Sequence, residues 1–220
     1  MVIESGRFLR QLDICPPDKL AFAITVIGAG AVGSFTVLAL AKMGCSMITV
    51  WDDDLLEEHN VSNQACRPSL VGYPKVAALC ELVDELCDLQ IAVDCRRYKG
   101  QALKGVVITA VDSMDARQDV WQRVKLSPAV PLLIDPRMGA EFARLYSIRP
   151  SNVEDIDFYE SNLYASKEAE QLTCSARSII YSPMILAGLV ALSVKSYAVG
   201  KTLAREILFD MPTLAMSVTR

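Results

Sequence analysis

The sequence predicts an α/β fold in which helices cover both faces of a mostly parallel sheet, with antiparallel strands added in the C-terminal part. Three observations carry this. Apolar, β-rich runs alternate with runs of helical period as far as Asp135, the order that builds right-handed βαβ units. The first run, "AFAITVIGAG", ends in glycines directly before a helical stretch, as in a Rossmann-like, doubly wound sheet. After Asp135 the alternation stops, and "AEFARLYSIRP" takes the two-residue period of a half-exposed strand.

In chain order, "AFAITVIGAG" reads as the first strand and "SFTVLALAKMG" as a helix closed by Gly44. "MITVW" is a second strand, and "KVAALCELVDELC" places its apolar residues at helical spacing. "IAVDC" gives a short third strand, "GVVITAVD" a buried fourth, "ARQDVWQRVK" a helix and "VPLLID" a fifth strand. "SNVEDIDFYESNLYASKEAEQLT" reads as a long polar loop that orders around a partner. "IIYSPMILAGLVALSV" is an apolar helix, shorter than the ~20 residues of a membrane span and interrupted by Pro183. It is expected to be buried in the protein, with a membrane span the minor alternative. The tail "EILFDMPTLAMSVTR" is mixed. No internal repeat or low-complexity linker interrupts the chain, so residues 1–220 are expected to form a single domain.

Composition narrows the function classes. With 52% hydrophobic and 22% charged residues, the chain can bury a sizeable core. A formal net charge of -4 argues against broad nucleic-acid binding, which needs clustered positive charge. The seven cysteines form no C-x-x-C pair, so no paired zinc site is indicated, and they read as reduced thiols of a cytoplasmic protein. "MVIESGRFLRQLDICPPDK" lacks the apolar centre and cleavage site of a signal peptide.

Gly28, Gly30 and Gly33 form G-x-G-x-x-G between the first strand and its helix. The first glycine suits a tight turn, the second lets a ligand approach the backbone, and the third lets the helix pack on the sheet. The helix then offers free N–H groups to an anion. Asp52, at the end of the second strand, is spaced to accept hydrogen bonds from ribose hydroxyls. The stretch does not stop there: "VWDDDLLEEHNVSNQ" goes on to Asp54, Asn60, Asn63 and Gln64, and Lys75 then opens a helix. A cation so near the phosphate end suits a triphosphate, and without G-x-x-x-x-G-K-[ST] the site is not a P-loop.

The pattern D-x-D-(five residues)-N-x-x-x-Q behind this glycine motif resembles the ThiF/MoeB-type activating enzymes, ATP-dependent adenylyltransferases related to ubiquitin-activating enzymes. "RFLRQ" looks like the family's opening and makes Arg10 the candidate arginine finger, supplied to a neighbouring protomer. "YPKV" matches the family lysine at Lys75, and "AVDSMDAR" the segment with a magnesium-binding aspartate, Asp112, followed by Arg117. The likeness runs from about Arg7 to Gly139 and is looser in "CSARSIIYSPMILAGLVA". Two departures stand out. The family's zinc-binding C-x-x-C pairs are missing, and Asn63 stands where the family usually has an arginine, so Arg67 or Arg137 is expected to supply that charge.

The resemblance implies attack of a carboxylate on the α-phosphate of ATP, with Mg2+, Lys75 and arginines offsetting charge. The carboxylate would be the Gly-Gly C-terminus of a ubiquitin-like or sulfur-carrier protein. Residues 1–135 would form the nucleotide-binding half, and 136–220 the carrier-binding and homodimer-forming half. Asp112 can alternatively cap the helix "SMDARQDV". Cys174, in "LTCSAR", is either an acceptor of the activated group or a buried thiol at a helix start. Two other functions stay open: a scaffold that has lost catalysis at Asn63, and an NAD-dependent oxidoreductase sharing the glycine motif.

Overall fold

A computed structural model describes residues 6–164 and 179–220. Cys174 and the end of the polar stretch before it lie outside the described residues. Strands β1 (Ile24–Ile27), β2 (Ile48–Trp51), β3 (Ala92–Asp94), β4 (Val106–Thr109), β5 (Leu132–Gly139), β6 (Phe142–Ile148), β7 (Glu206–Asp210) and β8 (Ala215–Thr219) form one sheet in the order β3-β2-β1-β4-β5-β6-β7-β8. Pairing is parallel from β3 to β5 and antiparallel from β5 to β8. The expected change of pattern is therefore present, although β5 runs on past Asp135 to Gly139.

Helices α1 (Ala31–Met43), α2 (Lys75–Cys87), α3 (Met114–Val124), α4 (Val153–Glu160) and α5 (Tyr181–Ala198) divide between the two faces. One apolar core joins Val26, Val50, Ile108 and Ile134 to Val37 and Leu40 of α1, Val76, Leu79 and Val83 of α2, and Leu186, Val190 and Val194 of α5. The other joins Ile27, Val107, Leu133 and Tyr146 to Val120, Trp121 and Val124 of α3 and Ile156 and Tyr159 of α4. Adjacent residues such as Val26 and Ile27 thus enter opposite cores, and β1 and β4 are buried along their whole length. That is why these strands read as nearly continuous apolar runs, broken only by Thr25 and Thr109, rather than alternating ones.

Two expectations are corrected. Strand β6 is not half exposed: beyond Phe142 it is buried or half-buried, because it lies between β5 and β7 beneath α5 and α4. The polar stretch expected to be a loop contains a helix: residues 153–160 form α4. Its Asn152 cap accepts the Asp155 N–H at 3.0 Å, and Ile156 and Tyr159 turn into the second core. The apolar helix at residues 181–198 is present and packs along α1 and over β5 and β6. Among the described residues no helix is long and apolar enough to cross a membrane.

Candidate functional site

The sheet order reverses between β1 and β4, and open α/β sheets bind ligands at the carboxyl ends of strands at such a point. A cleft of about 290 Å³ lies there. Gly28, Gly30, Asp52, Asp53, Asp54, Lys75 and Asp112 line it together with Ile27, Trp51, Arg97, Tyr98, Ala110, Val111, Ala116, Asp119 and Val120.

The glycines act differently from one another. Gly28 has φ +101°, and a Cβ there would stand 2.3 Å from the Ala110 carbonyl oxygen. A Cβ on Gly33 would meet the Gly28 carbonyl oxygen at 1.9 Å, so this residue lets α1 close on the strand. Gly30 borders the cleft, and a Cβ there would meet nothing within 4 Å, which leaves room for a ligand atom against the backbone. No side chain caps the N-terminus of α1, so its first N–H groups suit an anion.

Asp52 links the loops after β1 and β2, accepting the Ala29 N–H at 2.7 Å and the Asp54 N–H at 2.9 Å. Burial pushes its carboxyl above the ordinary range, opposed by those two N–H groups and by Lys75. Lys75 opens α2, and its Nζ lies 2.6 Å from the Asp54 carboxylate. Ser113, not Asp112, caps α3: the Ser113 hydroxyl accepts the Ala116 N–H at 3.2 Å. The capping role considered for Asp112 is thereby filled, and Asp112 stands exposed at the cleft.

Other expected site residues lie elsewhere. Arg67 pairs with Glu81 at 3.1 Å and Glu85 at 3.3 Å on the outer side of α2. Arg137 is buried: its Nε lies 2.8 Å from the Asp135 carboxylate, its Nη1 donates to the Asn162 carbonyl at 2.9 Å, and it stacks over Tyr146. Asp135, fully buried, also pairs with Arg117 and accepts the Tyr159 hydroxyl at 2.8 Å. Arg117 in turn donates to the Thr109, Val111 and Pro136 carbonyls, fastening the loop that presents Asp112. Burial, then the nearby Asp135 charge, pushes the Tyr159 phenol well above its usual value.

Asn60 is buried and accepts the Glu57 N–H at 2.9 Å, closing the loop after β2. Asn63 and Gln64 follow on that loop, which the Ala65 N–H fastens to the Ser34 hydroxyl at 3.0 Å; none of the three amides lines the cleft. Arg10 is exposed on a single turn at residues 9–11 and is likewise not in the lining.

Sequence reasoning missed Trp51, Arg97, Tyr98 and Asp119. A signal existed for the last: Ala116, Asp119 and Val120 share a helical face, and all three line the cleft.

A strand–glycine–helix crevice lined by an acid at the end of β2 and a lysine at the start of α2 is the arrangement of a nucleotide-binding α/β protein. The ThiF family model matches residues 18–216, and the chain belongs to that family. It is 36% identical over 90 residues to the adenylyltransferase and sulfurtransferase UBA4 of Yarrowia lipolytica, covering 38% of this chain and 22% of that protein. It is 30% identical over 112 residues to tRNA threonylcarbamoyladenosine dehydratase 2 of Saccharomyces cerevisiae, covering 45% of this chain and 25% of that protein. The matches thus span about a quarter of each of these two relatives. Among solved structures, PaaA superposes with TM-score 0.79 over 99% of this chain and 82% of its own, at 17% identity. E. coli MccB with AMPCPP and MccA gives TM-score 0.69 over 93% of this chain and 65% of its own, at 16% identity. These two likenesses concern the fold.

Proposed function

We propose that the chain activates a carboxylate with ATP. An oxygen of the carboxylate attacks the α-phosphorus, the bond to the oxygen bridging to the β-phosphate breaks, and an acyl adenylate and pyrophosphate form. The observation that supports this best is the convergence of Gly30, Asp52, Lys75 and Asp112 on one cleft. Membership of the ThiF family and a fold neighbour solved with AMPCPP support the same reading.

In this reading Gly30 and the α1 N-terminus receive phosphate oxygens, Asp52 accepts from the ribose, and Lys75 turns from Asp54 towards the phosphates. Asp112 would hold Mg2+ with phosphate oxygens, since this ion commonly takes one or two carboxylates and completes its shell with phosphate and water. Bound there, the ion would offset charge developing at the α-phosphate. The carboxylate we assign is the Gly-Gly C-terminus of a ubiquitin-like or sulfur-carrier protein in the cytoplasm. Exchange of labelled pyrophosphate into ATP, dependent on such a carrier, is the test. ATP binding without exchange across Gly-Gly carriers would favour a non-catalytic scaffold, and NAD bound as tightly as ATP would favour an oxidoreductase.

We also propose a symmetric homodimer, in which Arg10 serves the partner's cleft. Tyr181, Met184, Ile185 and Leu192 form an exposed apolar stripe on α5, and Met216 and Val218 are exposed on β8. A two-fold interface would bury such surface. A fully active monomer in sedimentation would exclude it.

A further inference from the structure

The lining of the cleft has two chemistries. Asp52, Asp54, Lys75 and Asp112 are polar, and Gly30 offers bare backbone. Ile27 and Val120 belong to the second apolar core, and Trp51, Tyr98 and Val111 pack against it, so on that side the cleft opens onto the core's edge. The Trp51 ring is held there. Tyr98 meets it edge to face at 5.9 Å, and the Arg96 guanidinium lies over it at 5.7 Å. Asp94 fixes Arg96 through bonds of 2.9 and 2.7 Å, and the Tyr98 hydroxyl donates to the Gln101 carbonyl at 2.7 Å. The aromatic wall is therefore set by the fold rather than by a ligand.

Two charged groups beside this wall are not engaged in the fold. Arg97 and Asp119 both line the cleft, and among the described residues neither forms a hydrogen bond or an ion pair. By contrast, Lys75 is held by Asp54, and Asp52 by two backbone N–H groups. A flat heteroaromatic ring suits the Trp51 and Tyr98 wall, and its polar edge needs both an acceptor and a donor. Asp119 supplies the first and Arg97 the second.

We propose that the adenine of the nucleotide packs against Trp51 and Tyr98, with Asp119 accepting from its exocyclic amine and Arg97 donating to a ring nitrogen. This rests on the nucleotide reading above and makes Asp119 the residue that tells adenine from rings without the amine. Isothermal calorimetry on the full chain with Mg2+, using ATP and purine riboside triphosphate (the same ligand without the amine), tests it. The wild type should prefer ATP by roughly 10- to 100-fold, the range for a hydrogen bond to a charged group. Asp119→Ala, at an exposed helical position, should reduce that preference to near unity. Arg97→Ala should weaken both nucleotides while keeping the preference. ATP binding with the same preference in wild type and Asp119→Ala, or with none in the wild type, overturns the base assignment alone. Failure of both nucleotides to bind the wild type overturns the underlying nucleotide reading and this assignment with it.

Discussion

The cleft lies at the carboxyl ends of β1, β2 and β4 and the Asp135 cluster lies within β5 of the same sheet; both are rich in ionisable groups, yet they handle charge in opposite ways. In the cleft, Asp112, Arg97 and Asp119 are exposed. In the cluster, Asp135 is fully buried and serves Arg117, Arg137 and Tyr159 together. Charges left in water keep their capacity to bind something else, whereas charges taken out of water must be satisfied within the fold. The two regions meet at Arg117, which pairs with Asp135 and holds the Val111 carbonyl next to Asp112. Substitutions should therefore separate cleanly, with stability lost on one side and chemistry on the other.

The largest effect is expected at Asp135. Asp135→Ala leaves two guanidinium groups buried without their shared carboxylate, which typically costs about 3–5 kcal/mol. Urea denaturation should show a loss of that size, and a midpoint close to the wild type would mean that the cluster is not structural. Next comes Asp112→Ala. Since Ser113 caps α3, removing the Asp112 carboxylate should leave the melting temperature nearly unchanged. Pyrophosphate exchange should drop by about 100- to 1,000-fold, as when one aimed stabilising group is removed from a transition state. A large loss of stability with exchange retained would reverse the contrast between the two regions.

That contrast was only partly legible in the sequence. Gly28, Gly30, Gly33, Asp52 and Lys75 could be found because local spacing along strand, turn and helix start brings them to one edge. Arg97, Tyr98 and Asp119 come from the loop after β3 and from the middle of α3, and they share the cleft only through the order β3-β2-β1-β4. Helix α4 was hidden because Ile156 and Tyr159 mean little in a polar stretch until the second core exists to receive them. Arg137 was visible as a cation beside a strand end. Its pairing with Asp135, two residues earlier on the same face of β5, shows only once the strand is known to continue.

Asp52 falls between the two regions, half-buried but bordering the cleft. Asp52→Ala should weaken ATP binding by about 1–3 kcal/mol, the cost of leaving polar partners unsatisfied. Its pH behaviour sharpens the comparison. Burial raises its folded-state pKa above the ordinary carboxyl value, so over that interval the folded chain holds more protons than the unfolded chain. The Asp52 contribution to stability therefore falls as pH rises through the folded pKa, and is recovered as pH is lowered towards the ordinary value. Asp52→Asn removes this slope. Melting temperatures of the two proteins should diverge across that window, and parallel curves would show that Asp52 is not desolvated.

The smallest effect on stability is expected at Arg67, and it bears on Asn63. Arg67 is pinned by Glu81 and Glu85, but its side chain is 39% exposed and the pairs are solvated, so Arg67→Ala should cost no more than about 1 kcal/mol. To offset charge on a triphosphate it would have to leave both glutamates. Weak solvated pairs permit that move, whereas Arg137 would have to abandon a buried carboxylate. If one of the two replaces the arginine missing at Asn63, Arg67 is therefore the better placed. Arg67→Ala should then lower pyrophosphate exchange at unchanged stability, and Asn63→Arg should restore exchange in that background. Exchange unaffected by Arg67→Ala would leave Arg67 as a surface ion pair of α2 and nothing more.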